Sequence, residues 1–99
     1  MSRREVFIEI AKYIPDETRR DLVRRLFEIN ERSIKQTAQD MKTSRIQLYR
    51  YLGFSKRKNY PSDSVTARLL EALYAKHPKE VVHILREQVA RLNRLIDQL

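Results

Sequence analysis

Cysteine and tryptophan are absent from the 99 residues, and there is a single glycine, Gly53. Without cysteine there are no disulfides and no thiolate metal sites. One glycine leaves no room for a glycine-rich phosphate loop. The two histidines, His77 and His83, lie six apart with Pro78 between them, which is not the i, i+4 spacing of a helical metal site. No metal, cofactor or enzyme activity is therefore expected. No apolar run approaches 18 residues and the N-terminus has no unbroken hydrophobic stretch, so neither a membrane span nor a signal peptide is expected. Tyr49, Tyr51 and Tyr60 lie near basic residues, as a recombinase nucleophile would. That chemistry also needs several arginines and a histidine on a larger catalytic domain, for which 99 residues have no space.

What remains is a chain with 34% charged residues, three prolines and almost no strand-like alternation, which points to an all-α fold. Its length suits one small core that needs no covalent staples. The net charge of +8 is unevenly distributed. Residues 1–32 carry eight Lys/Arg against seven Asp/Glu, and residues 63–99 six against five. Residues 33–62 carry seven against Asp40 alone. A solvated face usually mixes signs, as both flanks do here. A concentrated positive segment is instead the footprint of a polyanionic partner.

Phe7, Ile10, Ala11 and Ile14 recur at i, i+3, i+4, i+7, the pattern of an amphipathic helix, with Ser2 and Glu5 at capping-box spacing. Arg3, Arg4 and Lys12 would also suit a membrane-surface helix, but Glu5 and Glu9 dilute them, so the helix is expected to pack on the core. Pro15 ends it. Asp16 is expected to cap a second helix, from about Glu17 to Glu31, whose buried side is Leu22, Val23, Leu26, Phe27 and Ile29. Its Arg19, Arg20, Arg24 and Arg25 lie at helical spacing from Glu17, Asp21 and Glu28, so a salt-bridged surface is expected. Ser33 caps a third helix and Ile34 joins the core.

Residues 37–53 form the stretch around which the rest is arranged. Ala38 and Met41 give one short helix a buried face. Ser44 suits the N-cap of the next, whose apolar side is Leu48, Tyr51 and Leu52 and whose end is Gly53. Opposite that side lie Ile46, Gln47 and Arg50, with Arg45 at the entry and Tyr49 on the border. This segment resembles the helix-turn-helix of phage-repressor-like DNA-binding domains, of the Cro and lambda-repressor type. Ala38 falls where that motif brings its helices into contact, and Leu48 and Tyr51 where its recognition helix faces the core. The segment departs from the pattern at Lys42, where the family usually has glycine, and at Thr43, where it usually has an aliphatic residue. Lys42 is expected to take positive φ at a cost of roughly 1 kcal/mol.

Phe54 to Pro61 follows as a loop carrying Lys56, Arg57 and Lys58. Ser62 or Asp63 then opens a helix whose face is Val65, Leu69, Leu70 and Leu73, similar to the fourth helix of the phage-repressor-like domains. After His77, a last helix is expected from Pro78, a favoured first-turn residue, to near Leu99. Val82, Leu85, Val89, Leu92, Ile96 and Leu99 are spaced 3, 4, 3, 4, 3 along it. β-branched residues at a and leucine at d favour a parallel two-stranded coiled coil. Val81, Ile84 and Leu95 widen the stripe enough for packing on the helix's own domain instead.

The expectation is a five- to six-helix helix-turn-helix domain (residues 1–76) with a long C-terminal dimerisation helix (77–99). It would act as a homodimer on double-stranded DNA, in the cytoplasm and associated with the nucleoid. Arg45, Ile46, Gln47 and Arg50 would meet base edges, and Lys42, Ser44, Tyr49, Lys56, Arg57 and Lys58 would meet phosphates. A transcriptional regulator is the first role implied. A plasmid or viral partition or integration accessory, or a nucleoid protein that spreads along DNA, uses the same parts. An interaction adaptor or an RNA-binding protein are further readings. RNA usually calls for exposed aromatic stacking platforms.

Overall fold

A computed structural model describes all 99 residues, and it is all-helical. Six helices follow in order: α1 (Arg3–Ala11), α2 (Asp16–Ile29), α3 (Ile34–Met41), α4 (Arg45–Leu52), α5 (Asp63–Lys76) and α6 (Pro78–Ile96). No helix is long and apolar enough to cross a membrane.

Helix α5 is the hub, because α1, α2, α3 and α6 all pack on it. Its Leu69, Leu70 and Leu73 are fully or almost fully buried, together with Val23 and Leu26 of α2, Met41 of α3 and Leu48 of α4. Fully burying one such side chain is worth roughly 1.5–3 kcal/mol, so this cluster dominates the favourable side of folding. Val81 of α6 belongs to the same cluster. The first half of α6 is therefore part of the domain core, tied further by the Arg25–Glu80 ion pair and by Thr18 to Gln88 at 3.4 Å. Beyond Ala90 every residue of the chain is exposed.

Serine starts most of these helices. The hydroxyls of Ser2, Ser33, Ser44 and Ser62 accept from the amides of Glu5, Gln36, Gln47 and Val65 respectively. Each satisfies one of the orphan donors of a helix start, worth about 1 kcal/mol. Only half of the expected box forms: Glu5 Oε1 accepts from Ser2 Oγ at 3.1 Å and not from the Ser2 amide. α2 differs from expectation. Pro15, with ψ 153, takes the cap position and Asp16 is already helical, with no side-chain cap.

Helix ends are built in a way the sequence did not signal, and they overturn the expectation for Arg19 and Arg20. Both are buried instead of lying on the surface; Arg19 pairs with Asp63 of another helix, and only Arg20 keeps an acid of α2, Glu17 at 3.9 Å. Arg19 donates from Nε to the Ile14 carbonyl at 2.8 Å and from Nη2 to the Ala11 carbonyl at 2.7 Å. It also reaches the Pro61 carbonyl (2.9 Å) and Asp63 (2.7 Å). With the Ala11 and Ile14 carbonyls held this way, α1 ends at Ala11, three residues earlier than its apolar periodicity suggests. Arg20 donates to the Tyr51 carbonyl at the end of α4, and Arg68 to the Met41 carbonyl at the end of α3. Three arginines thus cover the carbonyl ends of three helices, where their charge also opposes the helix dipole. In a chain with one glycine, these long-range caps supplement local glycine turns.

α2 also ends early, at Ile29, because Glu31 (φ 55) and Arg32 (φ 62) are left-handed. The Arg32 amide returns to the Phe27 carbonyl at 2.8 Å, the six-to-one bond that closes a helix C-terminus. Ile29 and Ile34 are half-buried at the core margin. α6 ends at Ile96 instead of Leu99.

Candidate nucleic-acid interface

α3 and α4 pack against each other across a three-residue turn, Lys42 to Ser44. Lys42 has φ 51 and ψ 47, so the left-handed turn expected without glycine is present. The Thr43 amide closes it on the Ala38 carbonyl at 3.0 Å. Ala38 is 5% exposed, a small side chain where the two helices approach. On α4, Leu48, Tyr51 and Leu52 are buried, and burial raises the Tyr51 hydroxyl above its ordinary pKa.

The outward side of α4 follows from that register. Ile46 is 65% exposed, an unusual place for an isoleucine with nothing of its own chain over it. Arg45 is exposed beside it, and Arg50 is half-buried on its flank. Tyr49, placed on the border by the sequence, is 40% exposed and faces out more than Gln47 does. Gln47 is half-buried because its Oε1 accepts from Asn59 Nδ2 at 3.0 Å. Ser44 is exposed, with its oxygen engaged as the α4 cap and its hydroxyl proton still available. Tyr49 stacks at a tilt on Phe54, which in turn meets Phe27 edge-on at 6.0 Å.

The loop after α4 is anchored at its far end. Tyr60 donates its hydroxyl to Glu17 at 2.6 Å, and the guanidinium of Arg20 lies over the Tyr60 ring at 5.7 Å. Lys58 stands 4.0 Å from the same Glu17. Accepting the Tyr60 proton holds the Glu17 carboxyl below its usual pKa, and the same bond raises the Tyr60 hydroxyl. Arg20 therefore touches both the end of α4 and the end of the loop. It also crowds Gly53. Gly53 has φ +81, and a Cβ there would lie 2.9 Å from Arg20 Nη2.

The segment's cations are free to meet a partner. Of the seven Lys and Arg between residues 33 and 62, only Lys58 has a carboxylate within 4.0 Å. In residues 1–32, Lys12, Arg19, Arg20, Arg24, Arg25 and Arg32 are all paired. Lys42, Arg45, Lys56 and Arg57 are exposed and unpaired. Residues missed by sequence reasoning are Arg20, Glu17, Asn59 and Tyr60, which shape this surface from behind. Their one sequence signal is the aromatic beside a basic triplet. No group of His, Asp or Glu is arranged to hold a metal ion. No family model matches the chain, nor does any curated protein or solved structure.

Proposed function

We propose that the chain is a sequence-specific double-stranded DNA-binding protein that works as a homodimer, with transcriptional regulation as its role. The observation that carries this is the coincidence of one outward helix face with unpaired cations on both sides of it. α4 is an eight-residue helix, and a helix with its side chains, about 10–12 Å across, fits a major groove about 12 Å wide. Arginine suits the O6 and N7 acceptors of guanine, and Ile46 suits a thymine methyl. Lys42, Ser44 and Tyr49 lie at the margins of α4, and Lys56, Arg57 and Lys58 beyond its end, as phosphate contacts would. The α6 seam supports the homodimer. Val89, Leu92, Ile96 and Leu99 are 60%, 57%, 52% and 105% exposed, an apolar stripe left bare by its own domain.

The division of labour between bases and phosphates has a direct test. Arg50→Ala is expected to cost about 1–3 kcal/mol at one base position and relax preference there. Lys56→Ala is expected to weaken all duplexes alike and reduce the salt slope by about 0.9. Binding isotherms on matched and mutated duplexes at several salt concentrations separate the two. Identical losses of specificity from both variants contradict the assignment.

A further inference from the structure

The seam on α6 does not stand alone. Between α6 and the end of α1 lies an apolar cleft of about 560 Å³, with Ile10 and Tyr13 on one wall and Val82, Leu85, Val89 and Leu92 on the other. Tyr13 is 83% exposed there. The cleft runs along α6 from Val82 to Leu92, and beyond it the last residues of the helix, Asn93 to Ile96, are all exposed. A chain that carries both an open apolar cleft and an unsupported apolar helix half has two complementary surfaces.

We infer, building on the dimer proposed above, that the cleft receives the C-terminal half of α6 from a second copy, with the two α6 helices antiparallel. A two-fold axis then makes the exchange reciprocal. In this register Leu85 meets Ile96, and Val89 meets Leu92, on both sides of the axis, and Val82 lies against Leu99. The flanks of the seam decide the direction. Val81, Gln88 and Leu95 flank the seam on the side of the buried Val81, and Lys79, Arg86 and Asn93 flank it on the other, where Arg86 also borders the cleft. A parallel pair lays Lys79, Arg86 and Asn93 of one helix along the domain-side flank of the other, against the apolar wall of Ile10 and Tyr13. An antiparallel pair lays Leu95 there instead. This gives Leu95, 58% exposed and outside the heptad seam, a place to be buried. Tyr13, Val89, Leu92, Leu95, Ile96 and Leu99 are all more than half exposed, and a second copy seated in the cleft would cover them together. Parallel β-branched and leucine preferences at a and d apply to free helices, whereas here one wall of the pair is the domain itself.

The full chain without native cysteines makes the test direct. Leu85→Cys and Ile96→Cys are prepared separately, mixed and oxidised. The mixture is expected to give a disulfide between the two variants, while Ile96→Cys alone does not cross-link. Rapid cross-linking of Ile96→Cys with itself, and no disulfide between the two variants in the mixture, marks a parallel pair and overturns the exchange while leaving the dimer standing. Tyr13→Arg, at an exposed position, is expected to keep the helical circular dichroism and raise the dimer dissociation constant at least tenfold in sedimentation. An unchanged constant overturns the proposal. A monomer at all concentrations, with wild-type sequence, overturns both the exchange and the dimer.

Discussion

Replacing Gly53 by alanine is expected to destabilise the protein by more than its backbone conformation accounts for. Holding a non-glycine residue at φ +81 costs about 1 kcal/mol. The added Cβ would also lie 2.9 Å from Arg20 Nη2, closer than a carbon and a nitrogen can stand. Arg20 is poorly placed to yield. It is 3% exposed, and its Nε is bonded to the Tyr51 carbonyl at 2.9 Å. Overpacking against such a neighbour adds about 1–2 kcal/mol, for a total of about 2–3. In an Arg20→Met background the guanidinium is gone, and only the backbone cost of about 1 kcal/mol should remain. The pair should therefore show a coupling energy of about 1–2 kcal/mol in a double-mutant cycle. Urea unfolding of the four proteins, followed by circular dichroism at 222 nm, measures it. Additive effects would refute the claim that Arg20 and not φ alone fixes glycine at the end of α4.

Other consequences follow from the same contacts. Arg19→Ala leaves the Ala11, Ile14 and Pro61 carbonyls without their donor, and should lower stability by about 3 kcal/mol or more in urea unfolding. A loss below about 1 kcal/mol would show that water replaces the guanidinium. The Glu17–Tyr60 bond gives the loop a pH window. The Glu17 pKa is depressed, so its contribution is present above the ordinary carboxylate value of 4.5 and is lost as pH falls through the lower folded value. The Tyr60 pKa is raised, so its contribution is present below 10.0 and is lost as pH climbs through the higher folded value. Amide shifts of Lys58 and Asn59 should therefore hold steady across neutral pH and move at both extremes, and Tyr60→Phe should abolish both movements. Ser44→Ala removes the α4 cap and should cost about 1 kcal/mol in thermal or urea unfolding. Retention of full stability would mean that the Gln47 amide finds water equally well.

The helix starts were legible because serine at positions 2, 33, 44 and 62 has one local job, which i, i+3 spacing reveals. The left-handed Lys42 was legible through the resemblance, since it stands where helix-turn-helix motifs usually have glycine. The register of α4 followed from Leu48, Tyr51 and Leu52. The helix ends were not legible. Arg19 and Arg20 lie at ion-pair spacing from acids on their own helix, and Glu17 does stand 3.9 Å from Arg20. Their stronger partners are backbone carbonyls, which carry no sequence identity. Those of Pro61 and Tyr51 lie 42 and 31 positions away. Periodicity likewise ran α2 past Ile29, because nothing in Glu31 or Arg32 announces two successive left-handed residues. Gln47 was assigned wholly to the outer face since its tie to Asn59 depends on where the loop returns. The free cations of residues 33–62 were visible as composition; that they remain unpaired became visible only with the neighbours in place.

The central claim is that the face of Arg45, Ile46 and Arg50, flanked by free cations, reads duplex DNA as one half of a dimer. Footprinting on duplex DNA flanking the gene, across a range of protein and salt concentrations, tests it most directly. Two protected half-sites about one helical turn apart are expected, with binding that falls steeply as salt rises. Protection that spreads outward from one site as protein is added would replace the regulator with a DNA-coating role. No protection at any salt concentration would contradict DNA recognition itself.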